Sequence, residues 1–202
     1  MQEQFSKYNP NAFKQIGINA AMLLSDFDPT DGSYDEEDII GVTTGGVSFQ
    51  ASYEYTDYGE DMDNVPKNTK ELKRVDDVTA TCSGTFVTIT PELAERLNAA
   101  ADNTSGHIVP RTVLDLEKDF RDIWIVGDYS DVNKSGTGTG AAQAGFIAIH
   151  LMNALSTGGF QLQTEDKGKM QFAFEFTGHF SMDNQDEVPY EIYIKAGTPA
   201  ST

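Results

Sequence analysis

Lys169-Met170-Gln171-Phe172-Ala173-Phe174-Glu175-Phe176-Thr177-Gly178-His179-Phe180 is the stretch that decides the fold. Met170, Phe172, Phe174, Phe176, Gly178 and Phe180 share one parity; Gln171, Ala173, Glu175, Thr177 and His179 share the other. Successive side chains of a strand point to opposite faces, so the pattern predicts a long strand with one oily and one polar face. The flanking runs continue the theme. Gly145–Leu151 and Gly159–Thr164 precede it, with an Asn153-Ala154-Leu155 turn between them, and Pro189–Lys195 follows. Strands of this kind build sheets for packing or assembly and supply neither a nucleophile nor a metal cage.

Working toward the N-terminus, Asn19–Leu24 and Asp122–Asp128 predict further strands, and Ile39–Val42 is short and apolar. Thr43-Thr44-Gly45-Gly46 carries a turn signal. Two long alternating strands follow, over 47–56 and 75–89. In the second, Val78, Ala80, Cys82, Gly84, Phe86 and Thr88 face one way, and Thr79, Thr81, Ser83, Thr85 and Val87 face the other. The connection 56–74 is acidic first (Asp57, Glu60, Asp61, Asp63) and basic second (Lys67, Lys70, Lys73, Arg74). A structureless connection of about 19 residues inside a compact domain is unusual and points to function or disorder. Its opposite charges predict a hairpin-like arm or a subunit contact, with a floppy solvated loop as the plainer alternative.

One helix is predicted over 90–101: Thr90 as cap, Pro91 at the first helical position, Glu92 at the positive end of the dipole, and a Leu93/Leu97 stripe against the sheet. Residues 1–13 and 197–202 read as polar arms around a single domain, 14–196.

Composition narrows the function classes. The 202 residues suffice for one core. Net charge is −18, from 32 acidic and 14 basic residues, which argues against holding a nucleic-acid backbone, where affinity comes from basic side chains. The lone Cys82 rules out an internal disulfide. The opening Met1–Pro10 lacks the basic flank and apolar centre of a signal peptide, and no apolar run approaches the roughly 18 residues of a membrane span. The expectation is a soluble protein made in the cytosol, with no membrane partner.

The chemical motifs are weak. Gly136-Thr137-Gly138-Thr139-Gly140-Ala141 matches a dinucleotide fingerprint formally, but no strand leads into it and no helix opens from it. The loop from Asp26 to Asp38 holds seven carboxylates and is similar to a calcium loop with Glu37 at the twelfth position. Its glycine comes one place late, proline intrudes and neither flank is helical, so a solvated acidic loop is favoured. His107 falls in a polar loop, while His150 and His179 fall on strands away from any second histidine or cysteine. Cys82 reads as a buried thiol, and Trp124 as core or interface anchor. The chain is expected to be neither an enzyme nor the holder of a cofactor or metal.

Three segments together resemble the major tail protein, or tail tube protein, of long-tailed bacteriophages, especially those of Gram-positive hosts. They are Gly41–Phe49, Asp122–Asp128, and Asn153–Ser156 followed by Phe160, Asp166-Lys167-Gly168, the His179 strand and Pro189–Ile192. The likeness runs over most of 14–197 and lies in the order and spacing of the segments. It implies a mainly β, tail-tube-like sandwich or partial barrel with one flanking helix, a long hairpin loop and extended terminal arms. It further implies hexameric rings stacked into a virion tail tube, in which two long strands per subunit line a channel. The lumen-facing candidates are then Ser48, Gln50, Ser52, Glu54, Thr79, Thr81, Ser83 and Thr85. The subunit-contact candidates are Asp57, Glu60, Asp61, Asp63, Lys67, Lys70, Lys73 and Arg74.

The implied partners are further copies of the chain, tape measure and tail terminator proteins, and genomic DNA that passes without specific binding. Excess negative charge suits such a bore, because carboxylates offer phosphates no attractive partner. The rival expectations are another ring-forming virion protein (tail terminator or neck) and a calcium- or sugar-binding β-sandwich.

Overall fold

The computed structural model describes residues 16–129 and 144–197. The N-terminal arm, all of the C-terminal tail but Gly197, and the glycine-rich stretch Gly136–Ala141 lie outside the described residues. The chain is mainly β. Its elements are β1 (Gly17–Leu24), β2 (Ile39–Gly41), β3 (Thr43–Asp57), β4 (Lys73–Phe86), α1 (Pro91–Leu97), β5 (Ala101–Thr104), β6 (His107–Pro110), β7 (Arg121–Tyr129), β8 (Gly145–Ser156), β9 (Gln161–Gln163), β10 (Gln171–Thr177) and β11 (Tyr190–Lys195).

All strand pairs are antiparallel. One layer runs β2-β1-β7-β8-β11 and the other β3-β4-β10, with β9 and the end of β8 sharing the far edge of β10. β8 therefore belongs to both layers: its first half pairs with β7 and β11, and Leu155 and Ser156 pair with β10.

The crossover falls on the predicted Asn-Ala-Leu turn, which is instead a bend inside β8. Asn153 adopts φ 47°, a left-handed conformation asparagine tolerates better than most residues. Its backbone N–H donates to Asp122 Oδ1 at 2.9 Å and its side-chain amide to the His179 carbonyl at 3.1 Å. The bend is thus fastened to both neighbouring segments, and the strand continues rather than reversing.

Alternation fixes what each layer buries. Leu23, Ile123, Ile125 and Leu151 of the first layer meet Ala80, Cys82, Phe86, Phe172, Phe174 and Phe176 of the second, closed at one end by Leu93 and Leu97 of α1. Phe86 and Phe174 lie 4.4 Å apart between ring centroids. Cys82 is buried as its parity predicted, and burial pushes its thiol up to about 12.

The first layer has a second apolar face. Leu24, Trp124, Phe146 and Ala148 pack beneath Phe27 of the acidic loop, whose ring stands 5.1 Å from Phe146 and 5.5 Å from Trp124. The loop is pinned by Asp38, whose carboxylate accepts from Ser25 Oγ and the Asp35 N–H. It is thus a folded cover over a sheet that needs burial on both sides, and so β1, β7 and β8 read as nearly continuous apolar runs.

Further expectations change. The helix stops at Leu97, short of 101, because Ala99 turns to φ 62° and residues 101–110 form the unforeseen β5–β6 hairpin. His107 therefore sits on β6 rather than in a loop, whereas His179 lies just past β10. The expected turn at Thr43–Gly46 is part of β3. There the register steps from Thr44 opposite Thr85 to Val47 opposite Gly84, and Gly45 and Gly46 take φ 76° and 86°. Two glycines absorbed in one strand make a bulge, which bends the strand without ending it.

Candidate functional site

β3 and β4 form a ribbon of 15 and 14 residues, about 45–50 Å long at the usual rise per residue. Ser48 faces Ser83, Gln50 faces Thr81, Ser52 faces Thr79, Glu54 faces Asp77 and Thr44 faces Thr85. All eight residues expected to line a lumen are therefore brought to one face of one ribbon. That face continues onto β10 through Gln171, Ala173, Glu175 and Thr177, since Ala173 pairs with Thr85, Glu175 with Ser83 and Thr177 with Thr81.

Sequence alternation alone missed the acidic end of this face. Asp77 sits directly across from Glu54, and the Asp76 carboxylate accepts from Thr56 Oγ1 at a register step in β4. Like charges placed opposite each other weaken a strand pair. The bulge could not be seen in the sequence, where Asp76 and Asp77 simply interrupt the alternation.

The other face of the ribbon changes character along its length. Phe49 is half-buried against the core, with Tyr190 at 5.4 Å between ring centroids. Beyond it Tyr53, Tyr55 and Val75 run past the core and stand 40%, 55% and 44% exposed. Tyr53 hydrogen-bonds the Tyr190 hydroxyl, which raises the Tyr190 pKa, and it stacks on Tyr55 at 6.3 Å. Lys73 Nζ lies 5.1 Å from the Tyr55 ring centroid. On β11, Ile192 and Ile194 share the parity of Tyr190 and are 53% and 64% exposed.

An aromatic and aliphatic strip thus spans two strands, each at the border of its layer. Among the described residues neither β3 nor β11 has a strand on its outer edge. Natural sheets usually blunt or cover such edges, and here an apolar strip lies beside them exposed.

The connection between the two strands is shorter and more ordered than expected, spanning residues 58–72. The Asp57 carboxylate accepts the Gly59 N–H at 2.9 Å and the Asn68 N–H at 2.8 Å, and these two donors lower its pKa below the usual carboxylate value. A single 3-10 turn, Lys70–Leu72, leads into β4, and the Tyr58 N–H donates to the Leu72 carbonyl at 3.1 Å. Glu60 and Lys67 approach to 3.7 Å, and Lys70 and Glu71 to 3.4 Å. The two charged limbs therefore pair partly with each other. Asp61 and Asp63 remain exposed at the tip, and Lys73 and Arg74 begin β4 opposite Asp57 and Thr56.

A second polar cluster went unforeseen. His150 Nε2 lies 3.0 Å from Asp122 Oδ2, and the imidazole stacks on Trp124 at 4.0 Å and 3°. The hydrogen bond from His150, followed by that from the Asn153 N–H, lowers the Asp122 pKa despite partial burial. The pairing depends on the β7–β8 register, which no local pattern reveals. It fastens the β8 crossover. Among the described residues no three His, Cys, Asp or Glu side chains are arranged to hold a metal ion, and no helix is long and apolar enough to cross a membrane.

No protein-family model matches the chain, and no curated protein matches it either.

Proposed function

We propose that this chain is a structural virion protein, the tail tube subunit of a long-tailed bacteriophage. Six copies join side by side into a ring, and rings stack into a tube whose bore lets DNA pass. The observation that carries this reading is the two-faced β3–β4 ribbon. One face is lined by hydroxyls, amides and carboxylates; the other ends in exposed tyrosine and valine, continued by the isoleucines of β11, beside two strand edges unpaired among the described residues.

The chemistry of the two faces suits two different neighbours. Hydroxyls and amides keep a bore wetted, while Glu54, Asp76, Asp77 and Glu175 give phosphates nothing to hold. The aromatic and aliphatic strip gains by meeting protein, and closing a ring removes the unpaired edges altogether. The charged connection, with Asp57, Glu60, Asp61 and Asp63 on one limb and Lys67, Lys70, Lys73 and Arg74 on the other, reaches toward the adjoining ring. Tape measure and tail terminator proteins would be its other partners, and the reading requires no cofactor and no catalysis.

Negative-stain microscopy of the purified chain tests the proposal. Cylinders of uniform width are expected, and deletion of 57–73 should leave folded monomers or isolated rings. A wild-type chain that stays monomeric at high concentration would refute the reading. Long tubes from the deletion variant would reject the role given to the connection alone.

A further inference from the structure

Apart from the ribbon, one cavity brings together α1, the start of β7 and the segment 25–40. Its volume is about 280 Å³, and Ser25, Thr90, Arg96 and Arg121 are among its lining residues. Arg96 is the unusual member. Its Nη1 is buried with no hydrogen-bond partner, and its side chain makes no ion pair with any described residue.

Two other buried atoms lack a hydrogen bond, but each lies within an ion pair. Glu95 Oε1 is 2.7 Å from Lys118 Nζ, and Arg111 Nε is 3.1 Å from Asp102 Oδ1. Arg96 has no such compensation. Arg121 acts on it as a like charge: burial first, and then Arg121, bring its pKa down to about 10, so it still carries a full charge at neutral pH. Arg121 is itself held in place, donating from Nε to the Lys118 carbonyl at 2.7 Å, with Nη2 4.0 Å from Glu95 Oε1.

Arg96 as a whole is only partly buried, but its Nη1 is closed off from solvent, and a guanidinium nitrogen buried without an acceptor is costly. Among the described residues no acidic side chain forms an ion pair with Arg96. The cavity's own Asp38 is engaged by Ser25 Oγ and the Asp35 N–H.

We propose that this cavity is an anion site, in which Arg96 and Arg121 receive one carboxylate-sized oxyanion and the Ser25 and Thr90 hydroxyls border it. The guanidinium's planar fork suits a two-oxygen group. Glu37 and Glu92 also line the cavity, but both are solvent-exposed, so water and salt screen their charge at the two guanidinium groups. The oxyanion comes either from solution or from an acidic side chain of a second copy. The site does not depend on ring formation.

Thermal unfolding of the dilute full-length chain in chloride, acetate or inorganic phosphate, for wild type, Arg96→Met and Arg96→Lys, separates the cases. For a free ion, the wild-type Tm rises by about 5–10 °C at roughly a hundredfold excess over half-saturation. Arg96→Met should then show no response while being at least as stable as wild type in chloride, and Arg96→Lys should respond weakly.

If the carboxylate belongs to a second copy, the dilute protein ignores both anions. Sedimentation at high concentration then shows self-association weakened in both variants, in proportion to the lost fork. Variants that match wild type in anion response and also in self-association would overturn the site. Those readouts leave the ring reading untouched, since cylinders can form with or without an ion in this cavity.

Discussion

Replacing Ile192 and Ile194 together by threonine tests the exposed strip directly. Threonine keeps the β-branch that suits a strand, so β11 should persist. It gives up most of the apolar surface. Ile192 is 53% and Ile194 64% exposed in the isolated chain, together slightly more than one isoleucine side chain. At about 1.5–3 kcal/mol for complete burial of such a side chain, covering both would stabilise a subunit contact by about 2–3.5 kcal/mol. Losing it lowers the association constant per contact by roughly 20- to 300-fold.

The parts already buried in the monomer amount to about four-fifths of one isoleucine side chain, so unfolding of the dilute protein should shift by about 1–2 kcal/mol at most, threonine keeping one methyl. The assay pairs urea denaturation at low concentration with the critical concentration for assembly, read by pelleting and microscopy. An unchanged critical concentration would refute the claim that the strip is an interface. A large drop in monomer stability with no change in assembly would show that the isoleucines serve β11 alone.

Other consequences concern the fold. Phe176 is fully buried between the layers, so Phe176→Ala should cost about 3–5 kcal/mol, visible as a lower urea midpoint at similar slope. At the β8 crossover, Asn153→Gly should be tolerated far better than Asn153→Val. The latter forces a branched side chain to φ 47° and forfeits the bond to the His179 carbonyl, for an expected loss of about 2–4 kcal/mol in chemical denaturation. Asp122 has its pKa depressed in the folded state, so its contribution is complete above the ordinary carboxylate value of about 3.9 and fades as pH falls through the folded value. The Tm gap between wild type and Asp122→Asn should accordingly be flat above about pH 5 and shrink below about pH 4. A gap that widens on acidification would reverse the assigned sign.

Parity carried much of the fold. The phenylalanines of β10, the apolar series of β4 and the polar series of β3 lie on the faces their alternation predicted, because a half-buried strand records its environment residue by residue. What stayed hidden was governed by pairing across the chain. The bend at Asn153 looked like a turn because left-handed asparagine serves both, and only its bonds to Asp122 and His179 decide between them. Gly45 and Gly46 looked like a reversal for the same reason. The end of α1 was misplaced because Ala99, Ala100 and Ala101 favour a helix locally, whereas Ala101 is fully buried in the β5–β6 hairpin. At the candidate surface, the eight polar residues of the ribbon could be named from sequence. The tyrosine and isoleucine strip could not, since strand alternation does not tell where a core stops and solvent begins.

That last distinction bears on why the ribbon is built as it is. β10 pairs with β4 only over residues 81–86, so the outer part of the ribbon, 51–57 with 73–80, is two-stranded. A two-stranded hairpin is marginal in water unless something packs on it. Val78 and Ala80 are buried and the Tyr53–Tyr190 bond ties its apolar side to β11, whereas Tyr55, met only by Lys73 of the ribbon itself, and Val75 stay exposed beyond them. Opposing Glu54 with Asp77 weakens the same segment further. A ribbon meant to stabilise only its own monomer gains nothing from acidic residues on one side and bare tyrosines on the other. A ribbon that completes its sheet on a neighbour can carry both, because the neighbour covers the tyrosines and pairs the edge while the carboxylates stay in water.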